Sequence, residues 1–378
     1  MTGSAARRVA IDALVAIERD DSYANLRLGT LLDRSRLDER DRGFVTEIVY
    51  GTIRRRATVD HLVDRFLSSE PPPIARAALR IGAYQLHVLG VPPHAAVAAT
   101  VEATPKRFRG LVNAVLRRVS SSEVSWPDDA TRLSYPAWLV DRLVADLGRD
   151  VALAALDEMN RSAPAEARAD GYMQDRASQW VAEAVGARPG DLVVDLCAAP
   201  GGKSTAMAAA GATVLGLDLH SHRAALVQSN AERLSASVAA VVADGRRAPL
   251  RAGCADRVLV DAPCSGLGVL RRRADARWRV TPSDIDRLVA LQRELLEAAL
   301  RLVRPGGTLV YSVCTLTSSE TVGVAGDFEA AHGGAIAALA PPGTPWEPIG
   351  SGARLLPQSA GTDGMAVFRW QVGSPSAA

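Results

Sequence analysis

The sequence predicts a two-part chain, an all-α front followed by an α/β domain with a parallel, Rossmann-like sheet. Three observations carry this. Residues 1–135 read as consecutive helices with no strand signal. From Asp191 onward, short β-branched runs alternate with helix-period runs, the signature of βαβ units. The first of those strands ends in Asp195-Leu-Cys-Ala-Ala-Pro-Gly-Gly-Lys203, a small-residue turn at the place where open α/β sheets bind ligands.

In order, the helices expected in the front are Ala6–Glu18, Asn25–Asp33, Glu39–Leu67 with a break near Arg56, Ile74–Leu89, His94–Thr104 and Phe108–Val119. In the first, Val9, Ile11, Leu14 and Ile17 share one stripe. Prolines 71–73 and 92–93 separate later helices. Further helices are expected at Pro136–Leu147, Asp150–Asn160 and Gln174–Val185. The strands expected are Asp191–Cys197, Thr213–Leu219, Val238–Asp244, Arg257–Ala262 and Thr308–Cys314. Lys203–Ala210, His222–Leu234 and Asp284–Val303 are the helices between them. A last strand, Gly364–Trp370, is expected antiparallel at the sheet edge, and the tail Gly373–Ala378 is expected to be disordered. This divides the chain into a helical domain, 1–126, a helical linker, 127–173, and an α/β domain, 174–378.

With 378 residues, 48% hydrophobic and 23% charged, the chain is long enough for two or three domains of ordinary globular composition. Net charge is only +2, but residues 1–135 carry 20 basic and 16 acidic residues, a weak hint of a polyanionic partner. No apolar run approaches a membrane span, and Met1–Arg8 lacks the core of a signal peptide, so a cytoplasmic protein is expected. The four cysteines, Cys197, Cys254, Cys264 and Cys314, form no Cys-x-x-Cys pair, which argues against a zinc knuckle. Histidines show no metal-ligand spacing, so no metal is expected.

The turn Cys197–Lys203 is not a Walker loop, because Cys197 stands where that motif needs glycine. It also lacks the Gly-x-Gly-x-x-Gly of a dinucleotide site, which disfavours an NAD-dependent dehydrogenase. S-adenosylmethionine, a cofactor without phosphates, suits it. Asp195, Asp218 and Asp244 end three successive strands; Asp218 is placed to accept from ribose hydroxyls and Asp244 to touch adenine. A carboxylate at one strand end would be an ordinary turn residue.

Asp261-Ala-Pro-Cys-Ser-Gly266 ends the fourth strand and Tyr311-Ser-Val-Cys-Thr315 the fifth. One cysteine would be an ordinary core residue; two at neighbouring strand ends favour thiol chemistry. A thiolate adding to carbon 6 of cytosine turns carbon 5 into a nucleophile for a methyl group. Asp261, its pKa raised by burial, could hold the N3 proton. Lys203 is either a solvated helix-start lysine or a group that lowers a thiol pKa or touches the base or phosphate. Arg271, Arg272, Arg273, Arg277 and Arg279, with Trp278 among them, are either a solvated face or a phosphate-contacting, base-stacking loop.

Together these motifs resemble the RNA cytosine-C5 methyltransferases, and among them the bacterial 16S rRNA enzymes of the RsmB/Sun/Fmu type. The resemblance implies a class I S-adenosylmethionine-dependent methyltransferase sheet. It implies cofactor binding by Cys197, Ala198, Ala199, Pro200, Gly201, Gly202 and Lys203, with Asp218, Asp244 and Asp261. It makes Cys314 the nucleophile and Cys264 the residue assisting product release. Phe44-Val-Thr-Glu-Ile-Val-Tyr-Gly-Thr-Ile-Arg-Arg55, Pro93-His-Ala-Ala-Val97 and Val112-Asn-Ala-Val-Leu-Arg117 resemble the NusB-like RNA-binding domain, and Arg354-Leu-Leu-Pro-Gln358 with Gly361-Thr-Asp-Gly364 the family's last motif. Two departures stand out. Only about ten residues, Arg161–Asp170, precede Gly171-Tyr-Met-Gln-Asp175, where the family carries a longer substrate-positioning segment, and Ser318-Ser-Glu320 replaces a richer acidic cluster. The expected partner is RNA, most simply 16S rRNA, bound by a monomer. A tRNA cytosine methyltransferase and a non-catalytic RNA-binding or assembly factor are the alternatives.

Overall fold

A computed structural model describes residues 3–20, 23–164 and 166–373; the tail expected to be disordered lies, beyond Gly373, outside the described residues. The chain forms two compact units, Met1–Asp141 and Arg142–Ala378, so the stretch 127–173 is shared between them.

The first unit is helical: α1 (Gly3–Arg19), α2 (Ala24–Arg34), α3 (Glu39–Arg54), α4 (Arg56–Asp64), α5 (Pro73–His87), α6 (Pro93–Ala103), α7 (Arg109–Ser121) and α8 (Asp129–Leu133). The expected break falls at Arg55, which leaves helical geometry with φ −103° and ψ 24°. Asp38 caps α3 by accepting from the Asp41 N–H at 2.8 Å. The buried stripe of α1 (Ala6, Ala10, Ile11, Leu14, Ile17) joins Ile48, Leu79 and Leu116 in one core. Some of the front's arginines turn inward. Arg76 is bound by Asp64 and Glu70, Arg80 by Asp60 and Glu18, and the Arg7 Nε donates to the buried Gln85 Oε1 at 2.7 Å. Lys106, Arg107, Arg109, Arg117 and Arg118 remain exposed on and just before α7.

The second unit follows α9 (Ala137–Leu147) with α10 (Arg149–Glu158) and α11 (Arg176–Val185). Then come β1 (Leu192–Asp195), α12 (Gly202–Ala209), β2 (Thr213–Asp218), α13 (Ser221–Arg233), β3 (Val238–Val242), β4 (Ala255–Asp261), α14 (Pro282–Leu302) and β5 (Val303–Val313). The chain closes with α15 (Val324–His332), β6 (Ile336–Ala338), β7 (Glu347–Ile349), β8 (Gly352–Leu355), α16 (Pro357–Ala360) and β9 (Met365–Val372). Strand order is β3-β2-β1-β4-β5-β9-β8-β7, with β1 to β5 parallel and β6 also pairing with β9. Order reverses between β1 and β4, so the crevice outside their carboxyl ends is the natural ligand site.

One expectation needs correction. The last strand is antiparallel to β5, as expected, but it is interior, because β8 and β6 cover its far side. Strands of three and four residues in a Gly/Pro-rich stretch are too short to show periodicity.

Two glycines of α3 test the packing of the first unit. A Cβ at Gly51 would lie 2.0 Å from the Tyr84 hydroxyl, itself held by Glu47, whereas Gly43 faces open space. Gly51→Ala is expected to destabilise by about 1–3 kcal/mol, and Gly43→Ala to stabilise by about 0.5–1 kcal/mol. Thermal unfolding of the full chain reads both, and equal midpoints would contradict the packing described.

Candidate active site

The parallel register between β4 and β5 sets Asp261 opposite Ser312, so both strands end at the same level. The loops that follow converge. Cys264 and Cys314, both half-buried, bring their Sγ atoms to 3.3 Å. With the Cys264 S–H directed at its partner, that hydrogen bond holds the Cys314 thiol below its ordinary pKa, assisted by the positive charge of Lys203. The same contact, with burial, pushes the Cys264 pKa up.

Lys203, on the first turn of α12, is not the solvated lysine of the bland reading: its side chain is 12% exposed. Its Nζ donates to Asp261 Oδ2 at 2.6 Å. Burial draws the lysine pKa down, but the Asp261 charge and hydrogen bond outweigh it, so the ammonium is retained. The Ser312 hydroxyl, buried and absent from the sequence expectations, donates to Asp261 Oδ1 at 2.6 Å. Asp261 therefore sits in an ion pair, a quarter exposed, rather than in the apolar burial expected of it.

The glycine turn closes over the β1 end. Gly201 has φ +102°, and a Cβ there would meet the Val227 backbone at 3.1 Å. Gly202 lies under Tyr172 and Gln174, where a Cβ would approach both to about 3 Å. Cys197, inside the turn, is raised in pKa by burial, which suits packing or cofactor contact rather than nucleophilic work. Asp195 is buried; its Oδ2 accepts from the Ser204 hydroxyl at 2.7 Å, while no hydrogen bond reaches Oδ1. Burial pushes its pKa up to about 6. Asp218, at the end of β2, accepts from the His220 N–H at 3.0 Å and the Arg223 Nε at 3.1 Å. Asp244 caps the turn after β3 and pairs with Arg246, whose hydrogen bond lowers its pKa. An orphaned buried carboxylate oxygen, a tight glycine cradle and acids at three strand ends, with no phosphate-binding loop, fit S-adenosylmethionine. Asp195, Asp218, Asp244 and the backbone of 197–202 are the groups available to hold it.

The arginine loop turns out otherwise than either expectation. Arg277 is fully buried and donates to Asn160 Oδ1 at 2.8 Å, and Arg271, also buried, donates to the Gly361 carbonyl at 2.7 Å. Arg272 bridges Asp175 and Asp363. These guanidiniums join the end of α10, the segment before α11 and the Gly361–Gly364 stretch; apart from the Leu270 carbonyl bound by Arg277, these partners lie about 90 or more residues away in sequence, which local patterning does not reveal. Arg273 stays exposed. Glu320, noted in the sequence only as the remnant of an acidic cluster, is fully buried behind the two cysteine loops.

Among the described residues, no helix is long and apolar enough to cross a membrane. Residues 182–370 match the family model for 16S rRNA methyltransferase RsmB/F, and residues 4–121 match the NusB family. The chain is 37% identical to the ribosomal RNA small subunit methyltransferase B of Thermus thermophilus, over 88% of this chain and 89% of that one. Identity to the protein of the same name from Sodalis glossinidius is 32%, over 81% and 85%. The crystal structure of PH0851 superposes over 98% of this chain and 99% of that one, with a TM-score of 0.78 at 21% identity, a likeness of fold. The chain belongs to the RsmB/F family of S-adenosylmethionine-dependent rRNA methyltransferases and carries a NusB-family domain at its front.

Proposed function

We propose that this protein methylates carbon 5 of a cytosine in 16S rRNA through a covalent bond between Cys314 and carbon 6 of the base. The observation that carries the reading is the thiol pair: two sulfurs 3.3 Å apart just past the ends of β4 and β5.

Cys314, as thiolate, adds to carbon 6, and the electron density this releases collects at N3 and makes carbon 5 an enamine carbon. Asp261, with the Lys203 ammonium on one oxygen and the Ser312 hydroxyl on the other, faces N3, and the lysine proton is the one at hand to neutralise it. Bound in the β1–β4 crevice, S-adenosylmethionine supplies an electrophilic methyl group. Once the Cys314 sulfur is bonded to carbon 6, the Cys264 thiol has no thiolate beside it; it releases its proton to water and, as thiolate, takes the carbon 5 proton. The N3 proton returns to Lys203 as the carbon–sulfur bond breaks, Cys314 leaves as thiolate and the pyrimidine double bond is regenerated. The target base must leave its stack to reach both thiols. Exposed Lys106, Arg107, Arg109, Arg117 and Arg118 offer phosphate contacts for the surrounding RNA.

Replacing Cys314 by alanine is expected to abolish methylation of 16S rRNA, while Cys264→Ala leaves a protein–RNA adduct that survives denaturing gels; exchanged outcomes would overturn the assignment. Bisulfite mapping of a deletion strain should lose one 16S signal, and an unchanged 16S pattern would remove rRNA cytosine as substrate.

The pH dependence follows from the thiol pair. Because the Cys264 hydrogen bond lowers the Cys314 pKa, alkylation of Cys314 by iodoacetamide should rise at a lower pH than for an ordinary thiol, near 8.5. Both Cys264→Ala and Lys203→Met should move that rise to higher pH. An unmoved profile in both variants would refute the electrostatic account.

A further inference from the structure

We infer that Glu320 is a positioning residue that sets the spacing of the two thiols by tying their loops together. Glu320 lies in the π-helical turn Ser319–Gly323 and is fully buried. A buried carboxylate is tolerated only when its lone pairs are filled, and here the donors come from both cysteine loops. Oε1 accepts from the Ser265 N–H at 2.8 Å and the Gln292 amide at 3.2 Å. The hydroxyls of Ser265, Thr317 and Thr315 lie 2.6, 2.8 and 3.1 Å from Oε2.

Ser265 follows Cys264 in the chain, and Thr315 follows Cys314. Gln292, on α14, also donates to the Pro263 carbonyl at 2.9 Å, so both neighbours of Cys264 are held by one network. Tyr311, near the end of β5, donates to the Glu320 carbonyl at 2.7 Å and fixes the turn itself to the sheet. None of these bonds reaches a sulfur; the carboxylate acts on the residues beside them. Hydrogen bonds fix direction as well as distance, which an apolar contact between the loops would not. After the Cys314 bond and burial, the Glu320 charge also contributes to keeping Cys264 protonated.

The importance of the spacing rests on the methylation reading above, but the spacing itself is measurable without RNA. Phenylarsine oxide bridges two neighbouring thiols, and the full chain should bind one equivalent through Cys264 and Cys314. Glu320→Gln keeps the shape but leaves one accepting oxygen and an amide facing hydroxyls. It should weaken arsenical binding at least tenfold and slow single-turnover methylation about 100-fold, the scale expected of an ångström-sized misplacement, with KM for S-adenosylmethionine unchanged. Ser265→Ala and Thr317→Val, each removing one donor, should shift both readouts in the same direction by less, and they carry the test if Glu320→Gln does not fold. Unchanged arsenical binding in all folded variants overturns the inference, as does lost stability with binding intact. If arsenical binding weakens but the unaltered protein methylates no cytosine, the positioning role stands and the proposed reaction falls.

Discussion

Two parallel strands, β4 and β5, end at the same level because Asp261 pairs with Ser312, and the site follows from that register. Each strand releases a short loop with a cysteine in it, Cys264 three residues past β4 and Cys314 directly after β5. A one-residue slip of either strand would turn its side chains to the opposite face and separate the sulfurs. On the other side of the sheet's order reversal, β1 delivers the glycine turn and the first turn of α12, from which Lys203 reaches Asp261. Cofactor cradle and thiol pair are thus two consequences of one switch point.

The electrostatics are arranged in opposed pairs. The Cys264 pKa is raised and that of Cys314 lowered by the same hydrogen bond. Lys203 loses hydration on burial, and the charge and hydrogen bond of Asp261 offset that loss. For Asp195, burial outweighs the Ser204 hydrogen bond and the charge of Lys203 and raises the pKa from 3.8 to about 6. For a carboxyl group raised in the folded state, the unfolded chain releases its proton first, so stability falls as pH rises from about 4 to 6. At neutral pH that shift corresponds to a cost on the order of 3 kcal/mol, a cost typical of groups kept for binding rather than for folding.

How much of this was legible depended on sequence distance. The five parallel strands were readable because each is a short β-branched run between helix-period segments, and the convergence of Cys264 and Cys314 was readable because both sit just past strand ends. The ion pair on Asp261 was half legible: Lys203 and Asp261 were singled out, but the Ser312 hydroxyl behind them was not. Strands β6 to β8 were hidden by length and by prolines. The arginines of 271–279 misled because a guanidinium's partners decide its role, and those of Arg271 and Arg277 lie on distant segments. Glu320 was named in the sequence, but its burial and role were hidden for the same reason, its donors spanning residues 265 to 317.

In the proposed reaction the sulfur of Cys314, and not that of Cys264, bonds to the pyrimidine ring. RNA transcribed with 5-fluorocytidine blocks the final release, because fluorine at carbon 5 cannot leave as a proton does. Incubating that RNA with the full chain and S-adenosylmethionine, then digesting and sequencing the adduct by mass spectrometry, should place the nucleotide on the peptide containing Cys314. A nucleotide on the Cys264 peptide, or no covalent product at all, would contradict the account.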